Sequence, residues 1–401
     1  MNRLLPYGRQ SIDDDDIAAV AAVMRSDYLT TGPAVPAFEN ALKGVTGANH
    51  ALACANGTAA LHLAMLALGV GQGDVVVVPS LTFLATANAA RFVGADVVFA
   101  DVDPDNGLMT PQTLRAALER SPKAPRAVIV VHLNGQTVDL DAISDMAAQY
   151  KFDLVEDACH ALATRHRYRD GEAWVGDARR SRAACFSFHP VKTIAVGEGG
   201  AVTTSEPKLA ERIGLFRNHG MTRDVSKFLL GELAFDENQK PNPWHYEMPD
   251  VGFNYRLSDI HCALGVSQLA KLPRFIARRH ELAALYDELL EPHAATFRPV
   301  ARVPWASPTW HLYSVLIDFD RCGKTRASVM NELRASGVAT QVHYTPVHRQ
   351  PYYAEHVQSG DLSGADAYFK RQLSLPFYYG LSDDDVRHVV RSLAKVLGLN
   401  G

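Results

Sequence analysis

A lysine near the middle of the chain stands in a loop of unusual composition. The apolar run Cys185-Phe186-Ser187-Phe188 precedes Lys192, and the run Gly197-Glu198-Gly199-Gly200 follows it. Because a lysine held between a buried strand and a glycine-rich turn is desolvated, its pKa falls and its amine becomes able to form a Schiff base. The alternative is an ordinary lysine in a surface loop. We predict that Lys192 takes part in cofactor chemistry.

A carboxylate closes an apolar run upstream of this lysine. The segment Leu154-Val155-Glu156-Asp157 has the composition of a buried strand that ends in acidic residues. Ligands of open α/β sheets bind beyond the carboxyl ends of the strands. Asp157 is therefore a candidate partner for a ring nitrogen, and a solvated aspartate at the end of a strand is the alternative.

A third motif joins a strand to a helix. Asn56-Gly57-Thr58-Ala59 follows the strand that ends near Cys54, and its small residues let an anion approach the amino terminus of the next helix. The motif predicts a phosphate site. The alternative is an ordinary turn in which Thr58 caps the helix.

Two glycine patterns resemble nucleotide-binding loops but lack the required context. Gly69-Val70-Gly71-Gln72-Gly73 precedes a strand, whereas a dinucleotide fingerprint follows a strand and opens a helix. Gly323-Lys324-Thr325 lacks the upstream glycine of a phosphate loop, because Asp318 stands in its place. Neither pattern indicates a nucleotide-binding enzyme of those two classes.

The elements that must position these motifs follow from the hydrophobic pattern. Short β-rich runs alternate with helical patterns, which predicts an α/β fold with a mostly parallel sheet covered on both faces. Strands are expected at 51–54, 75–78, 97–99, 128–131, 154–155 and 184–188, and helices near 59–68, 112–120 and 140–150.

The two ends of the chain complete the predicted organisation. Ser11 and the aspartates after it predict a capped helix over 17–24, and residues 222–250 form a long polar loop before a helical stretch at 258–290. A smaller unit follows Pro292, with strands at 312–319 and 340–343 and helices at 325–336 and 383–397. We predict a large domain over 1–275 and a small C-terminal domain over 276–401.

Composition limits the class of protein. The chain has 401 residues and a formal charge of −4, which gives no reason to expect nucleic acid or a membrane surface as a partner. The five cysteines lack the spacing of metal ligands or of a disulfide framework, so no metal site is predicted. No apolar signal segment or membrane-spanning run is evident, and we expect a cytoplasmic enzyme.

Taken together, the motifs resemble one enzyme family. Phe186-Ser187-Phe188-His189 to Lys192, Glu156-Asp157-Ala158, Arg217-Asn218-His219-Gly220 and Gly252-Phe253-Asn254-Tyr255-Arg256-Leu257 are similar, in order, to motifs of the DegT/DnrJ/StrS sugar aminotransferases. The resemblance implies pyridoxal 5'-phosphate as cofactor and the fold-type-I aminotransferase architecture. It also implies a homodimer whose active sites lie at the subunit interface.

The resemblance assigns roles to individual residues. Lys192 would form the Schiff base with the cofactor, and Asp157 would pair with the pyridine nitrogen. Phe83 would stack on the ring, and His160 stands near the phenolic oxygen where many members have glutamine. The phosphate would be held by Thr58, Ala59 and Ser187, with Asn254 reaching in from the partner subunit.

Other stretches resemble the branch of the family that acts in pseudaminic acid biosynthesis: Tyr7–Asp13, His160, Trp244–Met248, His311–Tyr313 and Gln341–Tyr344. That branch transfers the amino group of L-glutamate to C4 of a UDP-linked 4-keto-6-deoxy-N-acetylhexosamine. Perosamine-type or 3-amino-sugar enzymes, a sugar dehydratase and a non-catalytic regulator are the alternatives. The residues implied to contact the nucleotide sugar are Tyr7, Asp27, Tyr28, Leu29, Thr30, Asn56, His343 and Tyr344.

Overall fold

The computed structural model describes residues 4–399, which contain thirteen strands and thirteen α-helices. The strands are β1 (His50–Cys54), β2 (Val75–Pro79), β3 (Asp96–Ala100), β4 (Ala127–Val131), β5 (Asp153–Asp157), β6 (Arg165–Tyr168), β7 (Gly171–Trp174), β8 (Ala183–Ser187), β9 (Gly200–Thr204), β10 (Phe297–Pro299), β11 (Ala306–Ser307), β12 (Tyr313–Ile317) and β13 (Gln372–Leu375). The helices are α1 (Asp14–Met24), α2 (Ala34–Thr46), α3 (Gly57–Ala67), α4 (Leu84–Phe92), α5 (Pro111–Arg120), α6 (Leu140–Tyr150), α7 (Pro207–Phe216), α8 (Gly231–Ala234), α9 (Asp259–Leu290), α10 (Arg326–Ala335), α11 (Pro351–His356), α12 (Ser363–Arg371) and α13 (Asp383–Val396).

The main sheet has seven strands in the order β1-β9-β8-β5-β4-β2-β3. Strands β3, β2, β4, β5 and β8 are mutually parallel, whereas β9 is antiparallel to both β8 and β1. The predicted α/β fold with a mostly parallel sheet is confirmed, and so are the six strands predicted for it. The start of β9 at Gly200 has the composition of a glycine-rich turn, so this reversal of strand direction is not predicted from the sequence.

Helices cover the sheet, and two of its strands, β2 and β4, are apolar along their whole length. All five residues of β2 and of β4 are buried, as expected for strands with helices on both faces. Helix α3 is buried at nine of its eleven positions and packs beside β8 and β9. The sheet therefore places the start of α3 in the interior, next to the ends of these strands.

The first helix differs from its predicted start. Asp13, rather than Ser11, caps α1 with its side chain and forms a capping box with Asp16. Asp13 and Asp16 also form ion pairs with Lys271 of α9. The aspartates thus fasten α1 to a distant helix as well as capping it, and a distant partner of this kind leaves no local signal in the sequence.

The smaller C-terminal unit is built on the antiparallel sheet β10-β12-β13. Helices α10 and α13 pack on each other, and both contribute to its apolar core. The strand predicted at 340–343 is wrong, because this segment makes only one isolated bridge, from Gln341 to Ser374. Its backbone instead turns inward, where the His343 N–H donates to the Gln372 side chain over 3.0 Å.

The two units are joined by α9 and by the start of the described chain. Helix α9 runs through residue 275, and Leu5 forms a parallel bridge with Val338 and packs in the core of the smaller unit. The predicted division at 275/276 therefore falls inside one continuous helix, and it remains a prediction. No helix among residues 4–399 combines the length and the apolar character needed to cross a bilayer.

Candidate active site

The predicted site residues meet where several strands end. The carboxyl ends of β2, β4, β5 and β8 lie at one edge of the sheet because these strands are parallel, and β1 ends at the same edge since both β1 and β8 oppose β9. A cavity of about 680 Å³ opens there. Ten predicted residues line it: Tyr7, Asn56, Thr58, Phe83, Asp157, His160, Ser187, Lys192, His343 and Tyr344.

The start of α3 forms one wall of this cavity. Asn56 caps the helix by accepting a hydrogen bond from the Ala59 N–H over 2.8 Å, so Thr58 is not the cap. The N–H groups of Gly57 and Thr58, at the first two positions of α3, have no partner within the helix and can bind an anion. Gly200 allows the start of β9 to approach the start of α3 closely, since a Cβ at this position would lie 2.4 Å from the Asn56 carbonyl.

Asp157 ends β5 with a carboxylate that is only 6% exposed. One carboxylate oxygen accepts a hydrogen bond from the Thr86 hydroxyl over 2.7 Å, and the other accepts one from the Cys159 N–H over 3.2 Å. These two donors fix the orientation of the carboxylate. Asp157 can therefore present an oriented carboxylate to a ligand in the cavity.

Lys192 is half-buried in the loop after β8 and lines the same cavity. Desolvation lowers the pKa of its amine, although the nearby Cys159 and Asp157 partly oppose that change. A lowered pKa increases the fraction of neutral, nucleophilic amine. The structure thus supplies the environment that the sequence predicts for a Schiff-base lysine.

Three buried histidines form the opposite wall. The rings of His160 and His311 lie 4.2 Å apart, and Nε2 of His160 is 3.1 Å from the Tyr344 hydroxyl. Burial holds the pKa of both imidazoles well below the usual value, and it lowers the pKa of His343 to about 3. All three histidines are therefore neutral near pH 7, and they can donate or accept hydrogen bonds without carrying charge.

An exposed aromatic ring stands at the entrance. Phe83 precedes α4 and remains 54% exposed, with its ring 5.9 Å from that of Tyr344. On the other side, the ring of Tyr7 lies 5.5 Å from that of His343. A planar ligand in the cavity could therefore stack on an aromatic face.

Six predicted residues lie outside this cavity. Ala59 is buried in the first turn of α3. Its N–H donates to the side chain of Asn56, which caps the helix. Asp27, Tyr28, Leu29 and Thr30 form an exposed turn, and Asn254 is exposed in a strand-like bridge with Asn218. Within one chain these five exposed residues do not join the ten that line the cavity.

Comparison with known proteins identifies the family. The model of the DegT/DnrJ/EryC1/StrS aminotransferase family matches residues 10–394. The chain belongs to this family. Its fold is similar to that of Helicobacter pylori PseC, an aminotransferase involved in the biosynthesis of pseudoaminic acid, with 27% identity, a TM-score of 0.87, and coverage of 99% of this chain and 100% of PseC.

Two further solved structures are also similar to this chain. DesV of S. venezuelae shares 29% identity with a TM-score of 0.85, and the match covers 100% of both chains. DesI, whose structure was solved in the presence of its TDP-sugar product, shares 30% identity with a TM-score of 0.84 and coverage of 99% of this chain and 93% of DesI. The chain is thus a pyridoxal-phosphate-dependent sugar aminotransferase.

The cavity of this DegT-family chain fits pyridoxal phosphate by the chemistry of its donor groups. It offers an amine of lowered pKa at Lys192, an oriented carboxylate at Asp157 and an anion-binding helix start at Gly57 and Thr58. No group of three or more His, Cys, Asp or Glu side chains within residues 4–399 has the arrangement of a metal site. The polar groups present therefore match an organic cofactor with an anionic tail.

Several residues in or beside the cavity are not among the site residues predicted from the sequence. Thr86 touches Asp157 from one turn inside α4, and its only sequence signal is its helical spacing from Thr82, whose hydroxyl it also contacts. His311 packs on His160 from far along the chain, and no local pattern links the two. Further side chains that line the cavity are Thr82, His189, Glu198, Gln341 and Gln350.

Proposed function

We propose that this enzyme transfers the amino group of L-glutamate to C4 of a UDP-linked 4-keto-6-deoxy-N-acetylhexosamine. The product would be a 4-amino sugar nucleotide of the pseudaminic acid type. The likeness to H. pylori PseC over the whole of both chains supports this substrate class. The branch-specific motifs support it independently, including His343 and Tyr344, which both line the cavity.

One observation carries the proposal. Asp157 at the end of β5 and Lys192 in the loop after β8 line one cavity of about 680 Å³, beside a helix start suited to a phosphate. The volume falls within the range of ligand pockets of small-molecule enzymes. A non-catalytic regulator has no need to keep a desolvated amine and an oriented carboxylate together, and a dehydratase of this family can carry histidine in place of the lysine.

Each of the two residues has a defined task. When bound, pyridoxal phosphate supplies an electron-accepting ring that stabilises the negative charge left when a proton leaves the carbon next to an amino group. Asp157 keeps the ring nitrogen protonated by placing a negative charge beside it. Nζ of Lys192 accepts the α-proton of glutamate and later delivers a proton to C4 of the sugar.

The remaining cofactor contacts follow the resemblance. Thr58, Ala59 and Ser187 would bind the phosphate, Phe83 would stack on the ring, and His160 would face the phenolic oxygen. His160 is neutral because burial lowers its pKa, so its ring can act as a single hydrogen-bond donor there. Asn254 is exposed, which suits a residue that contacts the cofactor of a partner subunit.

The sugar nucleotide would occupy the open side of the cavity. Four of the residues predicted to contact it line the cavity: Tyr7, Asn56, His343 and Tyr344. The turn of Asp27, Tyr28, Leu29 and Thr30 would complete the site from a second copy of the chain. We therefore propose a homodimer with shared active sites, and a cytoplasmic location remains a prediction from the sequence.

The first test is spectroscopic. Adding L-glutamate to the purified enzyme should convert the visible absorbance of the bound cofactor into the near-ultraviolet absorbance of its aminated form, with release of 2-oxoglutarate. Lys192→Ala should abolish the conversion, with a loss of at least about a hundredfold, because no other amine is placed to move the proton. Lys208→Ala, at an exposed position on α7, is the matched control. A wild-type enzyme that shows no conversion would contradict the proposal.

A second measurement decides between sugar chemistries. The aminated enzyme is mixed with the UDP-linked 4-keto sugar, and the product is analysed by nuclear magnetic resonance. Nitrogen at C4 supports the proposed substrate, nitrogen at C3 indicates a 3-aminotransferase, and loss of a hydroxyl without nitrogen indicates a dehydratase. A GDP-linked sugar that reacts faster than the UDP-linked one would indicate a perosamine-type enzyme.

A further inference from the structure

A second concave region lies outside the cavity, on the side of the exposed turn. Two adjoining pockets of about 300 and 530 Å³ share Thr31, Asn218 and Arg256. We call this region the arginine groove. Its polar and charged lining residues are Thr31, Glu39, Arg217, Asn218, His219, Arg223 and Arg256.

The arginine groove contains more positive than negative side chains. Arg217 forms an ion pair with Glu39, the acidic residue of the groove. Within residues 4–399, no carboxylate lies within 4.0 Å of the guanidinium of Arg223 or Arg256. The buried Nε of Arg256 also has no hydrogen-bond partner in that part of the chain. Two guanidinium groups are therefore available to an external anion.

The backbone holds Arg256 in a defined position. Two short segments, ending at His219 and Tyr255, exchange hydrogen bonds of 2.7–3.0 Å, and Arg256 follows directly. Nη1 of Arg256 donates to the Asn218 side chain over 2.6 Å. Gly220 and Gly252 let the segments approach, because a Cβ at Gly220 would lie 1.8 Å from the Asp250 carbonyl oxygen. A positioned guanidinium loses little entropy when it binds an anion.

The groove adjoins residues that the proposed function assigns to a second subunit. Thr31 directly follows the Asp27–Thr30 turn, and Asn254 bridges to Asn218 of the groove. Asp259 fastens this turn from α9 by accepting hydrogen bonds from the Gly32 and Ala34 N–H groups over 2.8 and 2.9 Å. None of the groove residues lines the cavity that contains Lys192.

We propose that the arginine groove binds the diphosphate of the nucleotide-linked sugar and completes the active site of a second copy of the chain. This inference rests on the proposed function. A guanidinium binds phosphate oxygens through paired N–H donors, and a diphosphate offers one charged group to each of Arg223 and Arg256. The Asn218 amide nitrogen adds an uncharged donor, since the amide oxygen accepts the hydrogen bond from Arg256.

Binding of UDP to the holoenzyme tests the site directly. Calorimetric titration should show that Arg223→Gln and Arg256→Gln each weaken UDP binding about tenfold or more, because a charged hydrogen-bonded group is lost. Arg115→Gln, on the exposed surface of α5, is the control and should bind UDP as the wild type does. Each variant should still bind the cofactor and complete the glutamate half reaction.

The possible outcomes separate the explanations. Unchanged UDP affinity in both variants would overturn the inference and leave the proposed function standing. Loss of cofactor with unchanged UDP affinity would assign the groove to the cofactor phosphate, and a slower glutamate half reaction alone would assign it to the donor carboxylate, so both overturn the inference. A wild-type enzyme that does not bind UDP would overturn the inference and the proposed function together.

Mixed dimers test whether the groove serves the other subunit. One subunit carries Lys192→Ala and the other carries Arg256→Gln, so only the second subunit retains the lysine. If Arg256 acts across the interface, this lysine receives an intact arginine from its partner, and the mixed dimer recovers about half of the wild-type activity per dimer. If mixing restores no activity, Arg256 acts within its own subunit and the inference is wrong.

Discussion

The cavity and the segment 222–251 show opposite patterns of exposure. In the cavity, polar side chains are buried and bonded within the chain, as Asp157 is to Thr86 and His343 is to Ser374. In the segment, large apolar side chains are exposed, with Leu229 at 75% and Trp244 at 71%. One chain therefore buries and bonds the polar side chains around Lys192, but it leaves the apolar side chains of segment 222–251 exposed. Exposed apolar patches of this kind mark sites of protein association.

The largest expected effect tests whether a second copy covers that surface. Leu229→Asp combined with Leu233→Asp places charges on two exposed leucines. We expect the dissociation constant of the dimer to rise at least about a hundredfold, since each change occurs twice in a symmetric interface. Analytical ultracentrifugation measures the constant.

The control is a large exposed side chain outside the segment. Tyr352→Asp alters a 46% exposed side chain on α11, away from the segment. The control should remain dimeric. If the double variant dimerises as strongly as the wild type, the exposed segment 222–251 is not the dimer interface.

The next effect concerns how the free energy of unfolding depends on pH through a buried histidine of the cavity. Burial lowers the pKa of His343 from 6.5 to about 3, so between these values the unfolded chain binds a proton that the folded chain does not. The stabilising contribution is complete above pH 6.5 and decreases as the pH falls toward 3. From pH 7 to pH 5 the free energy of unfolding should therefore fall by about 2 kcal/mol through this residue.

Replacing the imidazole should remove that dependence. In His343→Gln the loss of unfolding free energy between pH 7 and pH 5 should be about 2 kcal/mol smaller than in the wild type, as measured by urea denaturation. His356→Gln, at an exposed position, should leave the dependence unchanged. Equal pH dependence in wild type and His343→Gln would show that this imidazole is not held neutral by burial.

The smallest effect tests whether the Thr86 hydroxyl orients the Asp157 carboxylate. Thr86→Val keeps the shape of the side chain but removes the hydroxyl that donates to Asp157. We expect the single-turnover rate with glutamate to fall about tenfold, because a hydrogen bond to a charged group is lost. Thr340→Val is the control, since its buried hydroxyl has no partner among the described residues. Equal rates in the two variants would mean that Thr86 does not position Asp157.

Much of this architecture could be predicted because the signals are local. The alternation of apolar strands with helical patterns predicted the main sheet, and a lysine between an apolar run and a glycine-rich turn predicted the residue at the centre of the cavity. The reversal at β9 and the isolated bridge at Gln341 could not be predicted in this way. Strand direction and pairing depend on which distant segment supplies the hydrogen bonds.

The sequence by itself determined the chemical groups and their order along the chain: an amine, a carboxylate and a helix start suited to a phosphate. Only the tertiary structure decided which groups share a cavity. It brought His311 against His160 and Thr86 against Asp157, and it left Asn254 and the Asp27–Thr30 turn on another face, beside Arg223 and Arg256. Residue type and spacing specify local conformation, whereas contacts between distant segments are fixed by how the whole core packs.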